Sequence, residues 1–367
     1  MNIDFSAARW QTIKDTYRQW WAGELERPLV QITFHGRQPT ARKPDIPYYH
    51  FTSFYDLSVP AESIVDWWAY NLEGLAFSKD AFPHAIPYFG PGIAAAYMGA
   101  QVHNTPETGT TWFKPEALLE PAELHFQHQE GNPWHRRTSE LYAAARRRFQ
   151  GMVQLDMTDL GGNLDLLATF RPGESLLFDL YDHPAEVKRL TWEAHHLWWR
   201  YFEEFTRVSG PENPGFTAWT TIYSEKPYYM LQCDFAYMIG PEMFDEFVKP
   251  ELAACCRRLG NAFYHLDGPG QLPHLDSLLS IPELRGIQWV PGDGNPDITQ
   301  WPDVYRRIHR AGKRIQMFDS QAKCRLEALD VIANQIGSAK GIIMIGGCTP
   351  AEEPAARHLL AKYGAMA

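Results

Sequence analysis

His265 and Asp267 stand two apart at the end of the apolar run Asn261–Asp267, just ahead of Gly268–Pro269–Gly270. On a strand, residues i and i+2 share a face, so this imidazole and this carboxylate would project side by side from the strand's carboxyl end. Both groups are zinc ligands, and in contact they also form an oriented acid/base pair. The ordinary reading is that Asp267 caps the next helix while His265 packs, and for an isolated H-x-D that reading is the stronger. What decides between them is whether other reactive side chains converge on the same place.

The surrounding pattern says which elements would do the positioning. Beyond Arg146–Arg148, apolar runs recur at Met152–Leu155, Phe216–Ile222, Tyr229–Cys233, Ala262–His265, Ile287–Val290, Arg314–Phe318 and Ile342–Ile345. Amphipathic, helix-length segments separate most of them. The clearest starts at Pro184 and carries Val187, Leu190, Ala194, Trp198, Tyr201 and Phe205 on one face. With Leu29–Phe34 the count is eight strands in mostly β-then-α order, which favours a (β/α)8 barrel over a doubly wound sheet. Residues 1–150 are expected to supply helices, the first strand and a lid-like excursion packed on the barrel. Residues 151–367 would form its main part, the whole making one structural domain.

Barrel enzymes keep their chemistry at the carboxyl ends of the strands. Asp156 and Asp159 would lie after the second strand, Trp219 and Tyr223 on the third, and Cys233 and Asp234 after the fourth. Trp289 follows on the sixth, Gln316 and Asp319 on the seventh, and Cys348 at the end of the eighth. Asp156, Asp234, His265 and Asp267 are the candidate catalytic groups, and Trp219, Tyr223, Trp289 and Gln316 the candidate pocket wall. For any one of these aspartates, capping a turn is the commoner role. The tryptophan pairs at 20–21, 67–68 and 198–199 have core packing as their stronger explanation.

The totals set limits. Of 367 residues, 45% are hydrophobic and 14% aromatic, enough for a sizeable core, and the net charge of −10 argues against a phosphate backbone as partner. Without an apolar run of roughly 18 residues or a signal-like start, the expectation is a soluble cytoplasmic protein that does not enter a membrane. Five cysteines without C-x-x-C spacing fit thiols in a reducing compartment.

A set of longer motifs adds a resemblance. Cys233–Asp234–Phe235, Ile239–Gly240–Pro241–Glu242–Met243–Phe244 and Phe247–Val248–Lys249–Pro250 resemble the signature of the uroporphyrinogen decarboxylase superfamily. His265–Leu266–Asp267–Gly268, Gln288–Trp289–Val290–Pro291–Gly292 and Gly347–Cys348–Thr349–Pro350 fall where that family continues, and Phe89–Gly90–Pro91–Gly92 resembles the amino-terminal part of uncharacterised members. The resemblance implies a distorted (β/α)8 barrel and one of two reactions. Its methylcobalamin:coenzyme M methyltransferases bind zinc through H-x-C and a distant cysteine. Here His265 matches the histidine, Asp267 replaces the first cysteine, and Cys348 falls close to the second. A His265/Asp267/Cys348 set would be harder than its thiolate-rich counterpart and would suit an oxygen acceptor.

That reading expects metal-assisted methyl or alkyl transfer to a small molecule, with zinc as the candidate metal. Its methyl donor would be a methylcobalamin-type corrinoid on a separate protein, because the chain carries no D-x-H-x-x-G motif. The family's decarboxylases need no cofactor, but they clamp their substrate with arginines after the first strand, where this chain has Phe34–His35–Gly36–Arg37. A cofactor-free decarboxylase, with Asp156 or Asp234 in the cleft, is the alternative. A third reading is a non-catalytic small-molecule-binding protein.

Overall fold

A computed structural model describes residues 1–107, 109–317 and 326–366. Phe318, Asp319 and Cys324 lie outside the described residues.

Among the described residues there are eleven strands: β1 (Leu29–His35), β2 (Leu75–Phe77), β3 (His84–Ala85), β4 (Gln101–Thr105), β5 (Thr110–Lys114), β6 (Gln154–Leu155), β7 (Tyr228–Leu231), β8 (Asn261–Asp267), β9 (Gly286–Val290), β10 (Arg314–Met317) and β11 (Ile342–Cys348). Seven form the central sheet, in the order β2-β1-β11-β10-β9-β8-β7. All its pairings are parallel except β1 with β2. A parallel sheet is covered on both faces, which is why β7 and β9 are buried at every position. β3 and β6 make a second parallel pair, and β4–β5 is an antiparallel hairpin. The fold is therefore α/β with a parallel central sheet.

β1 is tied to the segment between β2 and β3 by side chains as well as by the Ser78 amide, which donates to the Ile32 carbonyl at 3.0 Å. The Ser78 hydroxyl accepts from the Ile32 amide, and the Asp80 carboxylate accepts from the Val30 amide, both at 3.0 Å. Asp80, fully buried, is also clasped by Arg27 at 2.6 and 2.8 Å. The helix Arg9–Ala22 lies near this seam, its Tyr17 hydroxyl donating to Gln31 at 2.8 Å.

The helix Pro184–Ser209 buries the face expected of it, and a continuous hydrophobic cluster runs from Phe5 to Ala365. Several sequence expectations need correction. Phe216–Ile222 is not a strand; it is a loop tied by one antiparallel bridge between Phe216 and Ser224, bent at Pro214–Gly215. β3 was not anticipated, because two residues close to Pro83 and Pro87 show no period. Nor was the helix Asn163–Phe170, whose sequence is apolar on most sides and so has no distinct face. No described helix is long and apolar enough to cross a membrane.

Candidate functional site

Strand register fixes which side chains share a face. His265 is paired with Gln288, Gln288 with Gln316, and Gln316 with Ile343, so these four project to one side of the sheet. On β8, His265 and Asp267 are partly open while the residues around them are buried. They lie on one face at the carboxyl end, with His265 Nε2 3.8 Å from Asp267 Oδ2. Asp234 joins them from the turn after β7, and ligand atoms of the three residues lie within 4.8 Å of one another.

Two neighbours orient the imidazole. His265 Nδ1–H donates to the Gln288 side-chain oxygen in a short contact, which turns Nε2 toward the carboxylates. Trp219 stands edge-on to the ring, with centroids 5.2 Å apart. Gln288 and Gln316 are 0% and 2% exposed, yet Gln288 Nε2 and Gln316 Oε1 have no partner among the described residues. Polar atoms left open beneath a histidine are unusual in a core, where such groups are normally paired.

Asp234 is held from behind by Asp165. The backbone N–H groups of Asp234 and Phe235 donate to the two Asp165 oxygens at 2.9 and 2.8 Å. Asp165 lies in the first turn of the helix Asn163–Phe170, which leaves Gly161–Gly162. Gly161 has φ +67°, and a Cβ there would stand 2.7 Å from the Gly92 Cα, so only glycine allows this approach. Burial raises the Asp165 pKa, and the nearby Asp234 charge raises it further. Asp234 is also raised, by burial first; His265 opposes the effect and Asp267 adds to it. Deeper in, Asp159 accepts from the Gly161 amide at 3.0 Å and the Tyr229 hydroxyl at 3.4 Å, and burial lifts it to about 6. Close carboxyls with raised pKa values hold protons nearer neutrality than free aspartate does.

A cavity of about 640 Å³ opens beside Asp165 and Asp234, walled by the β4–β5 hairpin and by Tyr237 and Met238. Its hairpin residue Trp112 is 62% exposed and Tyr237 58%, a large aromatic surface left to solvent around two acids.

Other expected site residues lie elsewhere. Trp289, one residue past Gln288, is paired with Leu266 and therefore faces away from His265, packing on Trp301 at 5.1 Å. Cys348 pairs with Phe34 and sits one residue past Gly347 in the inward series Ile343, Ile345, Gly347, so register places it on the opposite face as well. It is not part of the Asp234–His265–Asp267 group. Tyr223 is buried among Trp10, Tyr17 and Phe82. Asp156, 1% exposed, forms a different pair. It holds His84 Nδ1 at 2.6 Å, takes a short hydrogen bond from the Thr217 hydroxyl, and has its pKa raised by burial against the pull of His84.

Gln288, Asp165 and His84 were missed from the sequence. A glutamine inside the buried run Ile287–Val290 was the available signal for the first.

The fold and site thus define an α/β protein with a parallel central sheet and an acidic, histidine-containing cluster at the sheet's carboxyl edge. Its sequence matches no family model and no curated protein. Among solved structures it is similar to a methyltransferase from Methanosarcina mazei, with TM-score 0.60, 12% identity, and coverage of 96% of this chain and 98% of that one. At that identity the likeness is one of fold.

Proposed function

We propose that this chain is an enzyme transferring a methyl or related alkyl group to a small molecule, with a divalent metal at Asp234, His265 and Asp267 on the rim of a distorted (β/α)8 barrel. The observation that carries the reading is the His265 arrangement: Nδ1 is bound by a buried amide oxygen while Nε2 faces two carboxylates. An outer acceptor of this kind is the usual support for a metal-bound histidine. The donor set, one nitrogen and two carboxylates, suits zinc or a harder divalent ion. Cys348 is left out of it because of its strand face.

A metal held there would supply Lewis acidity, lowering the pKa of an acceptor hydroxyl or thiol. The remaining work falls to the chain. Gln288 keeps the imidazole in one tautomer, and the Trp219 edge limits water around it. Asp165, accepting from the Asp234 and Phe235 amides, holds Asp234 toward the histidine. The 640 Å³ cavity next to Asp234 has room for a small acceptor. The likeness in fold to a methyltransferase supports the reaction class, and the methyl donor under this reading is a corrinoid carried by a separate protein.

A second reading has one observation in its favour. The buried Asp156 orients His84, which is partly open, as in a metal-free acid/base pair, and this suits a cofactor-free decarboxylase. Calorimetric titration with Zn²⁺ separates the two. Under the metal reading the wild type binds one more equivalent than His265→Ala. Equal stoichiometry in the two proteins overturns it.

A further inference from the structure

A second group of potential ligands lies inside the protein. His195 on the helix Pro184–Ser209 meets Glu251 and Cys255, one turn apart on the helix Lys249–Arg258. They are 8%, 6% and 2% exposed. His195 Nδ1 is 2.7 Å from Glu251 Oε1, Cys255 Sγ is 2.9 Å from the same oxygen, and the sulfur and Nδ1 are 3.6 Å apart. Imidazole, carboxylate and thiol together are a borderline-soft donor set of the kind zinc takes.

Three features go beyond a plain hydrogen-bonded cluster. Asn163 Nδ2 donates to the other Glu251 oxygen at 2.7 Å, fixing the carboxylate from outside as partners of metal ligands do. The Trp199 indole N–H, on a side chain 3% exposed and edge-on to the His195 ring, has no hydrogen-bond partner among the described residues, while burial and then the Glu251 charge push the Cys255 thiol up. A small void of about 10 Å³, close to the size of one water, is lined by all three residues and by Gly161–Gly162–Asn163. The chain is also adjusted locally: a π-turn, Phe244–Val248, precedes the helix that carries Glu251 and Cys255, and Asn163 takes φ +50°.

We infer that His195, Glu251 and Cys255 form a buried zinc-type site, separate from the Asp234–His265–Asp267 cluster, that clamps the Gly161–Asn163 turn. Uptake of the cation displaces the Cys255 proton to solvent and leaves the His195 proton on Nε2. Ligand atoms around a tetrahedral zinc stand roughly 3.3–3.8 Å apart, from bond lengths of about 2.0–2.3 Å. The two shorter edges therefore open by about half to one ångström, chiefly through rotation of Glu251. Asn163 and Asp165 share one helical turn, so filling this site steadies the acid that holds Asp234.

Co²⁺ titration of the full chain tests this, since only a thiolate ligand gives a sulfur-to-cobalt charge-transfer band in the near ultraviolet. The band is expected at one equivalent, retained in His265→Ala and lost in Cys255→Ser and His195→Gln. Bound Co²⁺ should also slow alkylation of Cys255 in the wild type, read by peptide mass spectrometry, a measurement that needs no variant to fold. Binding without the band, a band that survives in folded Cys255→Ser, or unprotected Cys255 overturns the proposal. The Asp234–His265–Asp267 cluster has no sulfur, so its success or failure is read independently.

Discussion

Asp159→Asn tests the electrostatics behind the candidate site. Asp159 is 3% exposed, and burial lifts its pKa from the ordinary 3.8 to about 6. A tenfold change in proton affinity is worth about 1.4 kcal/mol, so the displacement corresponds to about 3 kcal/mol. The sign follows from linkage: the folded state holds this proton more tightly than the unfolded chain does. The contribution is fully present below the unfolded pKa and is lost as pH rises through about 6. Asparagine keeps an oxygen for the Gly161 amide and the Tyr229 hydroxyl but has no charge to bury. Urea unfolding of both proteins at several pH values reads the difference. Between about pH 4.5 and pH 8 the variant should gain about 2 kcal/mol on the wild type, and constant contributions of the substitution cancel in that comparison. Curves that stay parallel, or a variant that loses ground to the wild type toward pH 8, would refute the reasoning.

Further outcomes follow from the same contacts. Gln288→Leu removes the acceptor for His265 Nδ1, and Zn²⁺ affinity measured by chelator competition should fall by about 10- to 100-fold with the fold intact; unchanged affinity would separate the metal from this histidine. Asp80→Ala strands Arg27 and the Val30 amide, and should cost about 3–5 kcal/mol in urea unfolding. A loss below about 1 kcal/mol would show that the seam beside β1 is solvated. Gly161→Ala brings a methyl against Gly92 at positive φ, so a destabilisation of about 1–3 kcal/mol is expected, with a normal melting curve as the contrary result.

The sequence was most informative where strands are long and regularly spaced. β8 with His265 and Asp267 and the helix Pro184–Ser209 could be read from period and caps alone. Register between strands could not, and it decides the site. A one-residue step turns a side chain to the other face. That step separates Gln288 from Trp289 and Gly347 from Cys348, so the expected tryptophan and thiol lie behind the sheet while an unremarked glutamine faces the histidine. Tyr223 was misplaced for a related reason, because a loop replaces the expected third strand and folds the ring into an aromatic cluster. Asp165 was hidden in the helix Asn163–Phe170, whose near-uniform apolarity gives no helical period. His84 was hidden in the two-residue strand β3.

At the flank of β1, two amides take side-chain acceptors in place of a neighbouring backbone. A carboxylate anchored by an arginine can stand in for a rung of a ladder only while both ends of the intervening chain stay pinned. Between those pins, from the end of β1 to Ser78, lie the helix Ala61–Glu73 and β2, which among the strands pairs with β1 alone and antiparallel, so that stretch adds no rung to the parallel ladder. None of the residues lining the cavity beside Asp234 comes from that stretch, so the histidine and its acids depend on the parallel ladder, not on it, for their spacing.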